Sequence, residues 1–113
     1  MMLFWNDVSE EMEPVMKEDM PLTIVAKVVV KEEYREELEP ELVRLLDPSR
    51  KDAGCLLYDM HQSNEDANTF LFYETWQNKG LWESHMETEH LKRWRKVSEG
   101  KVSDFELLQM TKV

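Results

Sequence analysis

The chain has 113 residues, 42% of them hydrophobic and 34% charged, which is the composition of one soluble globular domain with a single core. Its 24 acids against 14 bases give a net charge of −10, and that balance argues against nucleic-acid partners, whose phosphates attract clustered Lys and Arg. A lone cysteine, Cys55, excludes an internal disulfide or a multi-cysteine zinc site and points to a reducing, cytoplasmic setting.

Residues 1–20 carry six acids against one lysine, so half of the net charge lies in an acidic N-terminal arm ahead of a domain at 21–113. The arm has no basic region followed by a long apolar stretch. No run in the chain approaches the roughly 18 to 20 apolar residues of a membrane span, so neither export nor a membrane partner is expected. LTIVAKVVV (22–30) is rich in β-branched residues and follows Pro21, which predicts a strand buried on both faces. KEEYREELEPELVRLL (31–46) then sets Tyr34, Leu38, Leu42, Leu45 and Leu46 at helical spacing, with Pro40 expected to kink the helix or shift its start. Asp47 before Pro48 reads as the cap of a short second helix that stops at Gly54.

CLLYDMHQ (55–62) and TFLFYETW (69–76) flank the polar turn SNEDAN and form a hairpin. Two helical segments follow, with Thr88 as a cap between them and Gly100 closing the second, and VSDFELLQMTKV supplies a last strand. The order predicts an α+β, ferredoxin-like βαββαβ fold, a four-stranded antiparallel sheet with helices on one face. Strand three sends Phe70, Phe72 and Trp76 to one side and Leu71 and Tyr73 to the other, so a bare sheet face would expose apolar surface. A homodimer packed sheet to sheet is expected.

WESHMETEH (82–90) places His85 and His90 five residues apart. A zinc clamp on a helix wants a spacing of four; at about 100° per residue these rings point roughly 140° apart on a continuous helix, so no metal is assigned. A break at Thr88 would bring them together. Each histidine also flanks an apolar stripe, Leu81 and Trp82 on one segment and Leu91 and Trp94 on the next, so the pair could border a pocket. Glu74 could orient a histidine or pair with a base. Lys92, Arg93, Arg95 and Lys96 form a basic cluster that either steers an anion or is a solvated face pairing with acids of the first helix.

DPSRKDAGCLLYDMHQS, NTFLFYETWQN and WESHMETEHLKRW stand in the order and spacing of a known family. Over residues 22–112 the chain resembles the antibiotic biosynthesis monooxygenases, small dimeric ferredoxin-like domains that include quinol monooxygenases. The resemblance implies a cofactor-free oxygenase acting on a small hydroquinone or polyphenol with dioxygen. His85 or His90 would be the base, and Tyr58, Phe72, Tyr73, Trp76, Trp82 and His61 would bind the substrate. Such chemistry needs a base near neutral pKa and an apolar cavity for a planar ring. Haem-degrading relatives carry an asparagine in the first strand, a tryptophan at the end of the third and an axial histidine on the last helix; here Trp76 is present, but Ala26, Lys27 and Arg95 occupy the other two regions, so no haem is expected. A non-catalytic binding module reaching its partner through the arm, and an isomerase of a small carbonyl compound, remain open beside the oxygenase.

Overall fold

The computed structural model describes residues 19–113, so most of the acidic arm lies outside the described residues. Strand β1 (Leu22–Val30) leads through a 3-10 turn (Glu32–Tyr34) into α1 (Arg35–Val43) and the short α2 (Leu46–Arg50). The hairpin β2 (Cys55–Gln62) and β3 (Thr69–Trp76) follows, then α3 (Lys79–Met86), α4 (Glu89–Val97) and β4 (Val102–Met110). The sheet order is β2-β3-β1-β4 and every pairing is antiparallel, the ferredoxin-like arrangement expected from the strand and helix order.

β1 alternates. Leu22, Ile24, Ala26, Val28 and Val30 are buried, whereas Thr23, Val25, Lys27 and Val29 are only half-buried. Among the described residues the helices cover a single face of the sheet, so the burial expected on both faces of β1 is not seen. β3 follows the same rule: Phe70, Phe72, Glu74 and Trp76 point into the core, and Tyr73 lies on the open side. Leu38, Leu42 and Leu45 close the core from the first helical pair.

Pro40 sits inside α1, and the α-helical part begins only at Arg35, after the 3-10 turn, so the start is shifted, one of the two outcomes expected of that proline. One local expectation changes. Asp47 is no cap: Leu45 keeps helical backbone angles, so α2 starts at Leu46 as a near continuation of α1. Gly54 is required where it stands, since its φ is 84° and an added Cβ would lie 2.5 Å from Leu81 Cδ1. This close approach of the loop before β2 to α3 brings residues 51–54 against the histidine-bearing helices.

Candidate active site

The helix carrying the two histidines breaks. Asn78 caps α3 by accepting a hydrogen bond from the Leu81 amide at 2.9 Å, and the helix ends at Met86. Thr88 then adopts extended angles (φ −74°, ψ 162°) before α4 begins. Its hydroxyl does not cap α4. It donates to the His85 carbonyl at 2.7 Å and lies 3.1 Å from His90 Nε2, tying the end of α3 to the start of α4. The divergence expected of a continuous helix disappears at this corner.

Both rings converge on Asp52. Its Oδ2 lies 2.7 Å from His85 Nδ1 and 2.8 Å from His90 Nε2. A carboxylate only accepts, so His85 carries its proton on Nδ1 and His90 on Nε2; because Thr88 has spent its own proton on a carbonyl, it too accepts from His90. These three side chains offer ligand atoms within 4.8 Å of one another. Ligands bound tetrahedrally to zinc at about 2.0 to 2.2 Å would stand about 3.3 to 3.6 Å apart, whereas the 2.7 and 2.8 Å separations to Asp52 are those of charge-assisted hydrogen bonds.

With Nδ1 committed to Asp52, His85 presents Nε2 as a lone pair, and among the described residues that atom has no hydrogen-bond partner. The ring is 2% exposed and lines a cavity of about 330 Å³ between sheet and helices. Tyr58, Phe72, Ala26 and Val28 form the sheet wall, Trp82, Met86, Leu91 and Trp94 the helical wall, and Phe105 and Leu107 the β4 side. Polar groups are few: Glu74, His85, Ser98, the Tyr58 hydroxyl, the Trp82 indole N–H and, from α4, Arg95. Burial holds the His85 pKa below the ordinary histidine value, with the Asp52 hydrogen bond and charge opposing and His90 adding slightly to the depression. The ring is thus a neutral acceptor at neutral pH.

Trp76 backs this group. Fully buried, it lies against His85 at 4.4 Å between ring centroids and 37° between planes, and its Nε1 donates to Glu74 Oε1 at 2.8 Å. Burial pushes the Glu74 pKa up to about 7, against the lowering effect of the Trp76 bond. Tyr58, 5.5 Å from His85 by ring centroids, has its phenol pushed well above the ordinary value by burial and then by Glu74. Burial likewise raises the Cys55 thiol, which disfavours the reactive thiolate form.

Of the residues expected in the site, Tyr58, Phe72, Trp82 and His85 line the cavity. Trp76 stands behind His85 and supports it, so it is no wall of the pocket. His90 meets Asp52 at the protein surface with 19% of its side chain exposed, outside the cavity lining. Tyr73 and His61 do not line this cavity: His61 pairs with Leu71 across the hairpin, and strand alternation sends both His61 and Tyr73 to the opposite face of the sheet. Glu74 has no basic partner among the described residues, contrary to the ion pair considered for it. Of the basic cluster, Arg93 makes a two-pronged contact with Glu41 of α1, as a solvated face would.

Asp52 went unrecognised because it lies 33 residues from His85 and no local spacing joins them. Glu74 had a readable signal, since it alternates with Phe72 and Trp76 along β3 and must share their inward face.

Residues 21–97 match the family model described as "Antibiotic biosynthesis monooxygenase". The crystal structure of PA3566 from Pseudomonas aeruginosa is similar over 85% of this chain and 97% of that one, with 34% identity and a TM-score of 0.80. A Bacillus subtilis protein named "Putative monooxygenase YcnE" is 32% identical over 80 residues, 71% of this chain and 82% of the relative. An uncharacterised protein of Synechocystis sp. is 30% identical over 76 residues, 67% of this chain, and the match spans only 52% of that relative's length.

Proposed function

The chain belongs to the antibiotic biosynthesis monooxygenase family, and from that premise we propose that it is a cofactor-independent monooxygenase of a small hydroquinone or polyphenol. The observation that carries this reading is His85: a neutral imidazole fixed by Asp52, with its lone pair directed away from that carboxylate, in an aromatic-lined cavity. A hydroquinone in the cavity gives a hydroxyl proton to Nε2, and Asp52 stabilises the imidazolium that results. The electron-rich anion then reduces dioxygen itself, and a carbon–oxygen bond forms at a ring carbon. His85 returns the proton to the peroxide, and loss of water leaves a hydroxyquinone. One oxygen atom enters the product and one leaves as water, so the substrate supplies every electron. The apolar walls keep bulk water from the anion.

The homodimer belongs to the same proposal. Leu57, Tyr73, Leu108 and Met110 of the open sheet face are 38%, 41%, 42% and 48% exposed, an apolar surface that a second copy would cover.

The test is dioxygen uptake by metal-stripped protein against a panel of hydroquinones, with His85→Gln and Asp52→Asn beside the wild type. Uptake above the uncatalysed rate that is lost in His85→Gln supports the reading. Conversion of a carbonyl compound without oxygen, by the same His85, would replace it with an isomerase. A folded protein that converts nothing leaves a binding module.

A further inference from the structure

Glu74 is a buried titratable group that the mechanism above does not use. Only 4% of it is exposed, and it is part of the cavity wall beside His85. Its one hydrogen bond comes from Trp76 Nε1, a neutral donor, and among the described residues no lysine or arginine pairs with it. The other titratable groups around the cavity are His85 from α3, Tyr58 from β2 and Arg95 from α4, while β1 and β4 contribute only apolar side chains such as Ala26, Val28 and Leu107. Arg95 is exposed on α4. Arg95 lines the cavity, but no ion pair joins it to Glu74, so among the described residues the Glu74 carboxylate has no direct counter-charge.

Deprotonation of a substrate by His85 leaves an anion in the same apolar space as Glu74, while the positive charge gained by His85 is offset by Asp52 at 2.7 Å. Two anions in a low-dielectric cavity repel strongly, and the weaker acid keeps its proton. Burial already moves the Glu74 pKa to about 7, and a bound anion moves it in the same direction. A protonated carboxyl carries one O–H donor, and in an apolar cavity that donor needs an acceptor. Trp76 holds Oε1 as an acceptor, so the proton belongs on Oε2.

We propose that Glu74 works as a neutral carboxylic acid whose O–H donates a hydrogen bond to an oxygen of the bound anion, making it a second catalytic residue beside His85. The ligand class is then an aromatic compound with two ring oxygens, one ionised by His85 and one, hydroxyl or carbonyl, seated on Glu74. This rests on the reading that His85 faces a bound phenol. It goes beyond that reading by fixing the charge of Glu74 and the number of oxygens the site engages.

The consequence is a proton count. An anionic ligand that binds above the resting Glu74 pKa must bring a proton in with it. 4-Nitrocatechol has two adjacent ring oxygens and is mainly the monoanion at pH 8. Calorimetric titration at pH 8, in two buffers of different ionisation heat, reads the protons taken up per molecule bound. The wild type is expected to take up close to one proton, and Glu74→Gln, which keeps both an acceptor for Trp76 and a donor for the ligand, is expected to bind without uptake. 4-Nitrophenol, with one ring hydroxyl, is expected to bind at least tenfold more weakly than 4-nitrocatechol.

Uptake that persists in Glu74→Gln would put the proton on His85 and overturn the proposal, as would the absence of binding or of uptake in folded wild-type protein. The assay needs no turnover, so the two readings fail separately. Proton uptake without dioxygen consumption would remove the oxygenase and keep the acid, and dioxygen consumption without proton uptake would do the reverse.

Discussion

Phe72 and Tyr73 are neighbours in the chain and have opposite fates. Phe72 is 3% exposed on the wall of the cavity, and Tyr73 is 41% exposed on the far side of the same sheet. The whole sheet divides in this way. Its inner face carries Tyr58, Phe72 and Glu74 under the helices; its outer face carries Leu57, Tyr73, Leu108 and Met110, which no helix among the described residues covers. Side chains of similar chemistry thus serve separate ends, and the two-residue period of the strand, not the residue type, assigns them. The inner face holds the groups that can move protons, and the outer face is suited to association.

Substitutions on the inner face break this division most severely. His85→Gln can still donate to Asp52 but offers no base of useful strength, so kcat/KM for dioxygen-dependent turnover is expected to fall by roughly 100-fold to 10,000-fold. Near-ultraviolet circular dichroism should show the fold retained. Asp52→Asn is expected to lose less, about tenfold to 100-fold, since the base remains while its tautomer and the imidazolium lose their support. Equal losses in kcat and in kcat/KM would place that support in the transition state.

The pH dependence of stability separates two inner-face groups of opposite sign. Glu74 has a folded pKa raised to about 7 from an ordinary 4.5, so its contribution is present below about pH 4.5 and is lost as pH rises to about 7, by about 3 kcal/mol in all. His85 has a depressed folded pKa, so its contribution is present above its ordinary value near 6.5 and is lost as pH falls through the folded value. The two partly cancel in the wild type between about pH 5 and 7. Glu74→Gln removes one of them: its melting temperature should rise with pH across that range, where the wild type stays comparatively flat. A parallel pair of curves would contradict the burial argument for Glu74.

Much of this was legible from the residue pattern. Strand and helix order followed from alternation and helical spacing, because hydrophobic periodicity reports which side of an element faces the core. The same alternation, applied strictly, assigns Tyr73 outward and Glu74 inward. The substrate-binding role expected for Tyr73 rests on its aromatic type, and the expectation that Glu74 orients a histidine or pairs with a base takes no account of its place between Phe72 and Trp76. Asp52 was a different case. Its place beside His85 depends on Gly54 letting the loop before β2 approach Leu81, a contact between segments some thirty residues apart that no local pattern encodes. The histidine pair lay between these cases: the spacing argument was sound for a continuous helix, and the extended backbone of Thr88 removed its premise.

The outer face gives effects on assembly before effects on chemistry. Leu108 of β4 and Val25 of β1 are register partners there, with Leu108 42% exposed. Leu108→Lys together with Tyr73→Lys sets two charges into the face proposed to pair with a second copy. The dimer dissociation constant measured by analytical ultracentrifugation is expected to rise by about 100-fold, since a buried, unpaired charge costs a few kcal/mol. A variant that stays as tightly dimeric as the wild type would move the interface elsewhere. Gly54→Ala crosses from one region to the other: the positive φ and the contact with Leu81 together predict a loss of about 1 to 3 kcal/mol in urea unfolding, with activity reduced through Asp52.

His61→Ala is the smallest change and the cleanest control. The residue belongs to the edge strand β2, is exposed, and faces away from the cavity. If the base were any histidine near the sheet, this substitution would matter as His85→Gln does. If the base must have its tautomer fixed by Asp52 and its lone pair held in a dry cavity, His61→Ala should leave kcat/KM within about twofold, because a solvated imidazole without a fixed neighbour supplies no oriented acceptor. A larger loss would mean that His61 reaches a site only in the dimer, and the division between a chemical inner face and an associating outer face would have to be redrawn with the second subunit as part of the cavity.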